Sequence, residues 1–135
     1  MTIEVRYSSK TGHTAQIAKA IAEQLVVEAK TVESPIVDDT DILFIGGGVY
    51  FGMVSGKIKK FIKNLDSSKV KMAVAFGTAG AQDTAIKKIK SLLAQKGIQV
   101  SDNSLLITVG HGGHKSINEL DLQKAREFAQ SIITQ

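Results

Sequence analysis

The sequence contains no cysteine. That excludes disulfide staples, thiolate metal sites and a cysteine nucleophile together. Aromatic residues make up only 5% of the chain, and they are not interleaved with the lysines, which argues against a nucleic-acid surface. No apolar run approaches the ~20 residues that cross a bilayer, so no membrane span is expected. The start, Met1-Thr2-Ile3-Glu4, has neither a cationic lead nor an apolar signal core, and a cytoplasmic location is expected. The only proline, Pro35, falls in a loop. Several nucleotide motifs are also missing. Gly46-Gly47-Gly48-Val49-Tyr50-Phe51 has Phe51 where a G-x-G-x-x-G motif needs its third glycine. Gly56-Lys57 resembles the end of a P-loop, but Phe51 occupies its first glycine and Ile58 its hydroxyl position. A phospho-receiver domain needs acidic residues after its first and third strands, where this chain has Tyr7-Ser8 and Ile45-Gly46.

What is present is an ordinary globular composition. Apolar residues are 43% and charged residues 22% of 135, enough for the core of one domain, expected to span residues 1–135. The net charge is +4. Lysines gather at Lys57, Lys59, Lys60 and Lys63, and again at Lys87, Lys88 and Lys90. The plain reading of these clusters is solvated helix surface, and the sharper one a docking patch for an acidic partner.

Hydrophobic periodicity gives an alternating βα pattern. Ile3, Val5 and Tyr7 alternate with Glu4 and Arg6 as in a strand, and Ile17, Ala18, Ile21, Ala22 and Leu25 form a helical stripe. Val26 to Val32 reads as a weaker strand, followed by a loop, Ser34 to Thr40, too short for a normal helix. Asp41 to Ile45 is apolar on both faces, as in the buried centre of a parallel sheet. Ser55 is the expected cap of a helix whose stripe is Ile58, Phe61, Ile62 and Leu65. Val70 to Phe76 reads as a second central strand. Ile86, Ile89, Leu92 and Leu93 mark a helix closed by Gly97. Ile98 to Val109 is the last strand, broken near Asp102-Asn103. Ser116 with Glu119 fits a capping box for a final helix through Leu122, Ala125, Phe128, Ala129 and Ile132. Such alternation implies a parallel sheet with helices on both faces. All glycines except Gly56 and Gly97 fall just beyond four of the expected strands, where open α/β sheets bind ligands.

One stretch organises these features. Ser8-Ser9-Lys10-Thr11-Gly12-His13-Thr14 lies between the first strand and the first helix. N–H groups at a helix start lack intrahelical partners, and the helix dipole favours negative charge there. The hydroxyls of Ser8, Ser9, Thr11 and Thr14 add donors, and Gly12 lets the backbone come close. The loop is suited to a phosphate.

Ser9-Lys10-Thr11-Gly12-His13-Thr14 matches the (S/T)-x-T-G-x-T phosphate loop of the flavodoxin family. Gly46 to Gly52, followed by Ser55-Gly56-Lys57-Ile58-Lys59-Lys60-Phe61-Ile62, resembles that family's tyrosine-centred G-S-P-x-Y-x-G loop and its G-x-(I/L)-K-x-F-(I/L) helix. The resemblance covers nearly the whole chain. It implies a flavodoxin-like three-layer α/β/α sandwich with a five-stranded parallel sheet in the order 2-1-3-4-5. It implies flavin mononucleotide (FMN) as cofactor and electron transfer to redox partner proteins by a monomer or weak dimer. By the same resemblance Ser9, Lys10, Thr11, Gly12, His13 and Thr14 take the phosphate. Gly48, Val49, Tyr50, Phe51 and Gly52 line one side of the flavin ring, and Thr78, Ala79 and Gly80 form the other loop. In flavodoxins a glycine peptide rotates beside the flavin N5 on reduction, and Phe51-Gly52 occupies the matching place. The residues agree with this: Tyr50 and Phe51 can cover a planar ring, or alternatively anchor the loop over a helix.

The chain also departs from the pattern. Gly47-Gly48 replaces the usual Ser-Pro. The loop after Gly77 has no aromatic where flavodoxins stack a tyrosine, and the chain is basic where carrier flavodoxins are acidic. Two other functions therefore stay open: an FMN-dependent oxidoreductase of the quinone reductase or protoporphyrinogen oxidase type, and a binding module without flavin. His13 lies in the phosphate loop. His111 and His114 have i, i+3 spacing, but no third metal ligand is evident, and a polar loop is the simpler reading. No catalytic residue and no metal ligand is assigned.

Overall fold

β1 (Ile3–Tyr7) lies between β2 (Ala29–Thr31) and β3 (Thr40–Tyr50), and β5 (Val70–Ala79) and β6 (Leu105–Thr108) continue the sheet. The computed structural model describes residues 1–50, 53–80, 83–109 and 115–135, with Val49 and Tyr50 described by backbone only. The order β2-β1-β3-β5-β6 is parallel throughout. It is the expected 2-1-3-4-5 order, renumbered because β4 (Met53–Val54) folds back on the end of β3 as an antiparallel ribbon.

The two faces of β3 explain its continuous apolar run. Leu43 and Ile45 join the core under α2 (Gly56–Lys63) and α3 (Thr84–Gln95). Ile42 and Phe44 join the core under α1 (His13–Leu25) and α4 (Glu119–Ile133). On that second side Phe44 meets Phe128 edge to face, with ring centroids 6.4 Å apart. A strand covered on both sides has no solvent-facing positions, so it reads as a run rather than an alternation.

The structure corrects four local expectations. Gly46, Gly47 and Gly48 are not beyond the third strand but within it, paired with Phe76, Gly77 and Thr78, and Gly77 lies within β5. Their lack of a side chain is needed for packing: a Cβ on Gly46 would enter the ring of Phe76, and one on Gly77 would sit 2.5 Å from the Gly47 carbonyl oxygen. Val26 is not in a strand. Its φ of 57° closes α1, with the Val27 N–H donating back to the Ala22 carbonyl. The capping box of α4 is Asn118 with Asp121 rather than Ser116 with Glu119. The Asn118 Oδ1 accepts from the Asp121 N–H at 2.9 Å, and the Asp121 carboxylate accepts from the Asn118 N–H at 3.0 Å. Ile117 and Leu122, flanking that box, enter the same core, which sets where the helix begins.

The fourth correction is Arg6. The alternation of β1 suggests an exposed Arg6, yet it is 3% exposed. Among the described residues no helix lies between β2 and β3, and residues 32–39 cross the sheet as an irregular strap. The strap's carbonyls need donors. Arg6 donates from Nε to Ser34 O at 2.9 Å and from Nη2 to Pro35 O at 3.1 Å, and pairs with Glu4 at 2.9 Å. Lys69 holds the far end through the Val37 carbonyl at 2.9 Å. The break expected in the last strand is present: the register slips by two residues between Ala73↔Val100 and Phe76↔Leu105. Gly97, with φ +85°, follows α3 as expected.

Two substitutions and a control test this packing. Arg6→Ala strips the strap carbonyls and Glu4 of their donor and lowers stability by about 2–4 kcal/mol in urea unfolding. Gly77→Ala forces the β3 and β5 backbones apart and costs about 1–3 kcal/mol, whereas Gly56→Ala, with open space around its Cβ, causes no loss in the same measurement.

Candidate functional site

The carboxyl ends of β1, β3 and β5 converge on the loop that precedes α1. The Ser8 N–H donates to the Gly46 carbonyl at 3.1 Å, extending the β1–β3 pairing by one residue before the chain turns. The turn is closed by its own residues: the Gly12 N–H donates to Ser9 Oγ at 3.0 Å. Gly12 has φ +91°, a conformation side-chain-bearing residues rarely adopt, and open space lies where its Cβ would be.

Gly12 is also the N-cap of α1. It has no side chain to offer the helix start, and the first turn contains no acidic residue. The Gln16 N–H donates to the Gly12 carbonyl at 3.1 Å, so the helix itself supplies no acceptor for the N–H groups of His13, Thr14 and Ala15. α2 and α4, by contrast, are capped by the side chains of Ser55 and Asn118. Open N–H groups at the positive end of a helix dipole attract an anion.

Hydroxyls surround this helix start. Thr14 is buried, and its Oγ1 lies 2.9 Å from the Oγ1 of Thr78 on β5. Thr11 Oγ1 and His13 Nδ1 are 3.1 Å apart. Ser8 Oγ donates to Ser55 Oγ at 3.4 Å, which brings the start of α2 to the same loop. There is no carboxylate in 8–14, 46–50, 53–55 or 78–80. A donor set of backbone N–H groups and hydroxyls, without acids, is chemically suited to a phosphate dianion.

The expected site residues fall as follows. Ser9, Lys10, Thr11, Gly12, His13 and Thr14 share one loop and helix start. Gly48 pairs with Thr78, and the backbones of Val49 and Tyr50 pair with Val54 and Met53 in the β3–β4 ribbon. Thr78 and Ala79 end β5, where the Ala79 carbonyl accepts the Val109 N–H at 2.8 Å, and Gly80 follows half-buried. Phe51 and Gly52, and the histidines His111 and His114, lie outside the described residues. From the sequence Ser55 is a helix cap and Thr78 part of the second ring loop, with no link to the phosphate loop. Their contacts to Ser8 and Thr14 arise across strands, and no local spacing signals them. Among the described residues no cluster of metal-binding side chains occurs, and no helix is long and apolar enough to cross a membrane.

Comparison with known proteins agrees with this geometry. The family model of the flavodoxin domain matches residues 5–110. A flavodoxin of Clostridium saccharobutylicum is 30% identical, with 98% of this chain and 95% of that one covered. In fold, the chain superposes on a flavodoxin from the domain Archaea with a TM-score of 0.84 at 20% identity, covering 99% and 97% of the two chains. Flavodoxin 1 from Bacillus cereus gives 0.80 at 16% identity over 99% and 98%. The phosphate-type loop, the sheet that presents it and the match over most of its length agree: the chain belongs to the flavodoxin family, the flavin-binding proteins of electron transfer.

Proposed function

We propose that residues 1–135 form one FMN-binding domain that passes single electrons between redox proteins. The observation that carries this reading is the start of α1, with its glycine cap, acid-free first turn and surrounding hydroxyls. Such a helix start selects a flavin that ends in a phosphate. Ser9, Lys10, Thr11, Gly12, His13 and Thr14 take the phosphate. Gly48, Val49, Tyr50, Phe51 and Gly52 border one side of the ring, and Thr78, Ala79 and Gly80 the other. The flavin, when bound, supplies the redox chemistry. The chain's own residues stabilise the phosphate with hydroxyl and backbone N–H donors beside the charge of Lys10, and hold the ring end at a fixed distance from it.

The partner side of the reading rests on charge. α2 presents Lys57, Lys59, Lys60 and Lys63 without one acidic residue. The amino end of α2 adjoins the phosphate loop through Ser55 and Ser8. A groove of ≈ 480 Å³ lies between this helix and the strap, lined by Val32, Glu33, Pro35, Lys57, Lys60 and Phe61, with Asn64 at its end. We assign this lysine face to acidic redox partners, opposite in sign to what an acidic carrier would select.

Two measurements test these readings. Titrated onto the flavin-free chain, FMN binds at least about 100-fold more tightly than riboflavin, because each charge-assisted hydrogen bond contributes about 1.5–3 kcal/mol. Thr11→Ala with Thr14→Ala removes most of that preference, and equal affinities in the unaltered chain would refute the phosphate site. In stopped-flow oxidation of the reduced, flavin-loaded protein, ferricyanide reacts more slowly as salt rises and hexaamminecobalt(III) more quickly. Lys57→Glu with Lys60→Glu reverses both trends, while the same charge change at Lys19 and Lys124, on the opposite face of the sheet, has a smaller effect. Steady turnover of a quinone with a nicotinamide donor and no added reductase would instead assign the chain to the oxidoreductases.

A further inference from the structure

Thr14 and Thr78 are 64 residues apart in sequence, and their hydroxyl oxygens are 2.9 Å apart. The two residues are 1% and 5% exposed. One lies in the first turn of α1 and the other opposite Gly48 in the sheet. A hydroxyl has one proton to donate and two sites that accept. One proton of the pair therefore lies between the oxygens, and the other is left over. If Thr14 donates to Thr78, its proton is spent, and its oxygen has nothing to give an anion at the helix start. If Thr78 donates to Thr14, the Thr14 proton remains available. A dianion at the helix start selects the second arrangement, because a hydrogen-bond chain ending on an anion is polarised in one direction and strengthened along its length.

We propose that Thr78 is a positioning residue for the phosphate, acting through the hydroxyl of Thr14 and fixing which way that hydroxyl points. This inference rests on the FMN reading above. Because Thr78 lies at the end of β5, where the second ring loop begins, its bond to Thr14 holds the phosphate and ring ends of the pocket at one separation. Filling of the phosphate site and the placement of that loop are thereby coupled.

The test is the ratio of FMN to riboflavin affinity, measured by flavin fluorescence quenching on the flavin-free full chain, with circular dichroism to verify folding. Thr78→Val lowers the ratio about three- to tenfold. Thr78→Ala, which removes the hydroxyl without placing a methyl against Thr14, does the same, and Thr78→Ser restores the ratio to near its original value. In a Thr14→Val background, adding Thr78→Val leaves the ratio where Thr14→Val alone sets it. The proposal is overturned if loss of the Thr78 hydroxyl weakens FMN and riboflavin equally, if it leaves the ratio unchanged, or if it lowers the ratio further once Thr14 is valine. Failure of the FMN reading has a different signature: the unaltered chain would already bind the two flavins alike.

Discussion

The pairing of β3 with β5 is the contact on which the site depends. It runs in register from Thr40↔Val70 to Gly48↔Thr78. At its upper end the strands carry glycines and Thr78, with Phe76 the one bulky side chain, opposite Gly46. Gly46 accommodates the Phe76 ring, and Gly77 sits against the Gly47 carbonyl. This close approach sets Thr78 beside the first turn of α1, where it meets Thr14. Had bulky residues stood at Gly46 or Gly77, the strands would separate earlier, and the loops above them would not converge.

The second constraint is electrostatic. The start of α1 is left without a side-chain cap or an acid, a locally unfavourable choice for the helix by itself. Local optimisation would put serine or aspartate at position 12. Gly12 instead provides the left-handed turn, and Ser9 satisfies its N–H from outside the helix. The remaining N–H groups keep their attraction for an anion. Stability is given up at one helix end, and donors suited to an anion are left open there.

On the far side of β1 the chain replaces a helix with a strap. The short connection between β2 and β3 cannot satisfy its own carbonyls, so Arg6, paired with Glu4, and Lys69 donate to them. A buried guanidinium is costly to desolvate and is tolerated here because its N–H groups meet carbonyls of the strap, the Val5 carbonyl and a carboxylate. The same shortening leaves the groove beside the lysines of α2.

Much of this was legible without coordinates. Alternating runs, continuous apolar runs and helical apolar stripes located the parallel strands and the α-helices of the described residues, because a half-buried element carries its burial in its spacing and a strand covered on both faces in an unbroken run. The hydroxyl loop was legible because its donors are consecutive in sequence. The strand limits at Gly46–Gly48 and Gly77 were not, since a glycine signals a turn and a close strand approach equally well, and only the neighbouring Phe76 ring and Gly47 carbonyl distinguish the two. Nor could local pattern reveal that Arg6 is buried or that Asn118 rather than Ser116 caps α4. The first depends on a strap 28 residues away. The second depends on which neighbouring residues reach the core. The sequence alone determined the βα order, the family and the chemistry of the hydroxyl loop, all properties of residues near one another in the chain. Tertiary structure decided which hydroxyls meet across strands and which charge is buried, because those pairings exist only once distant segments are packed together.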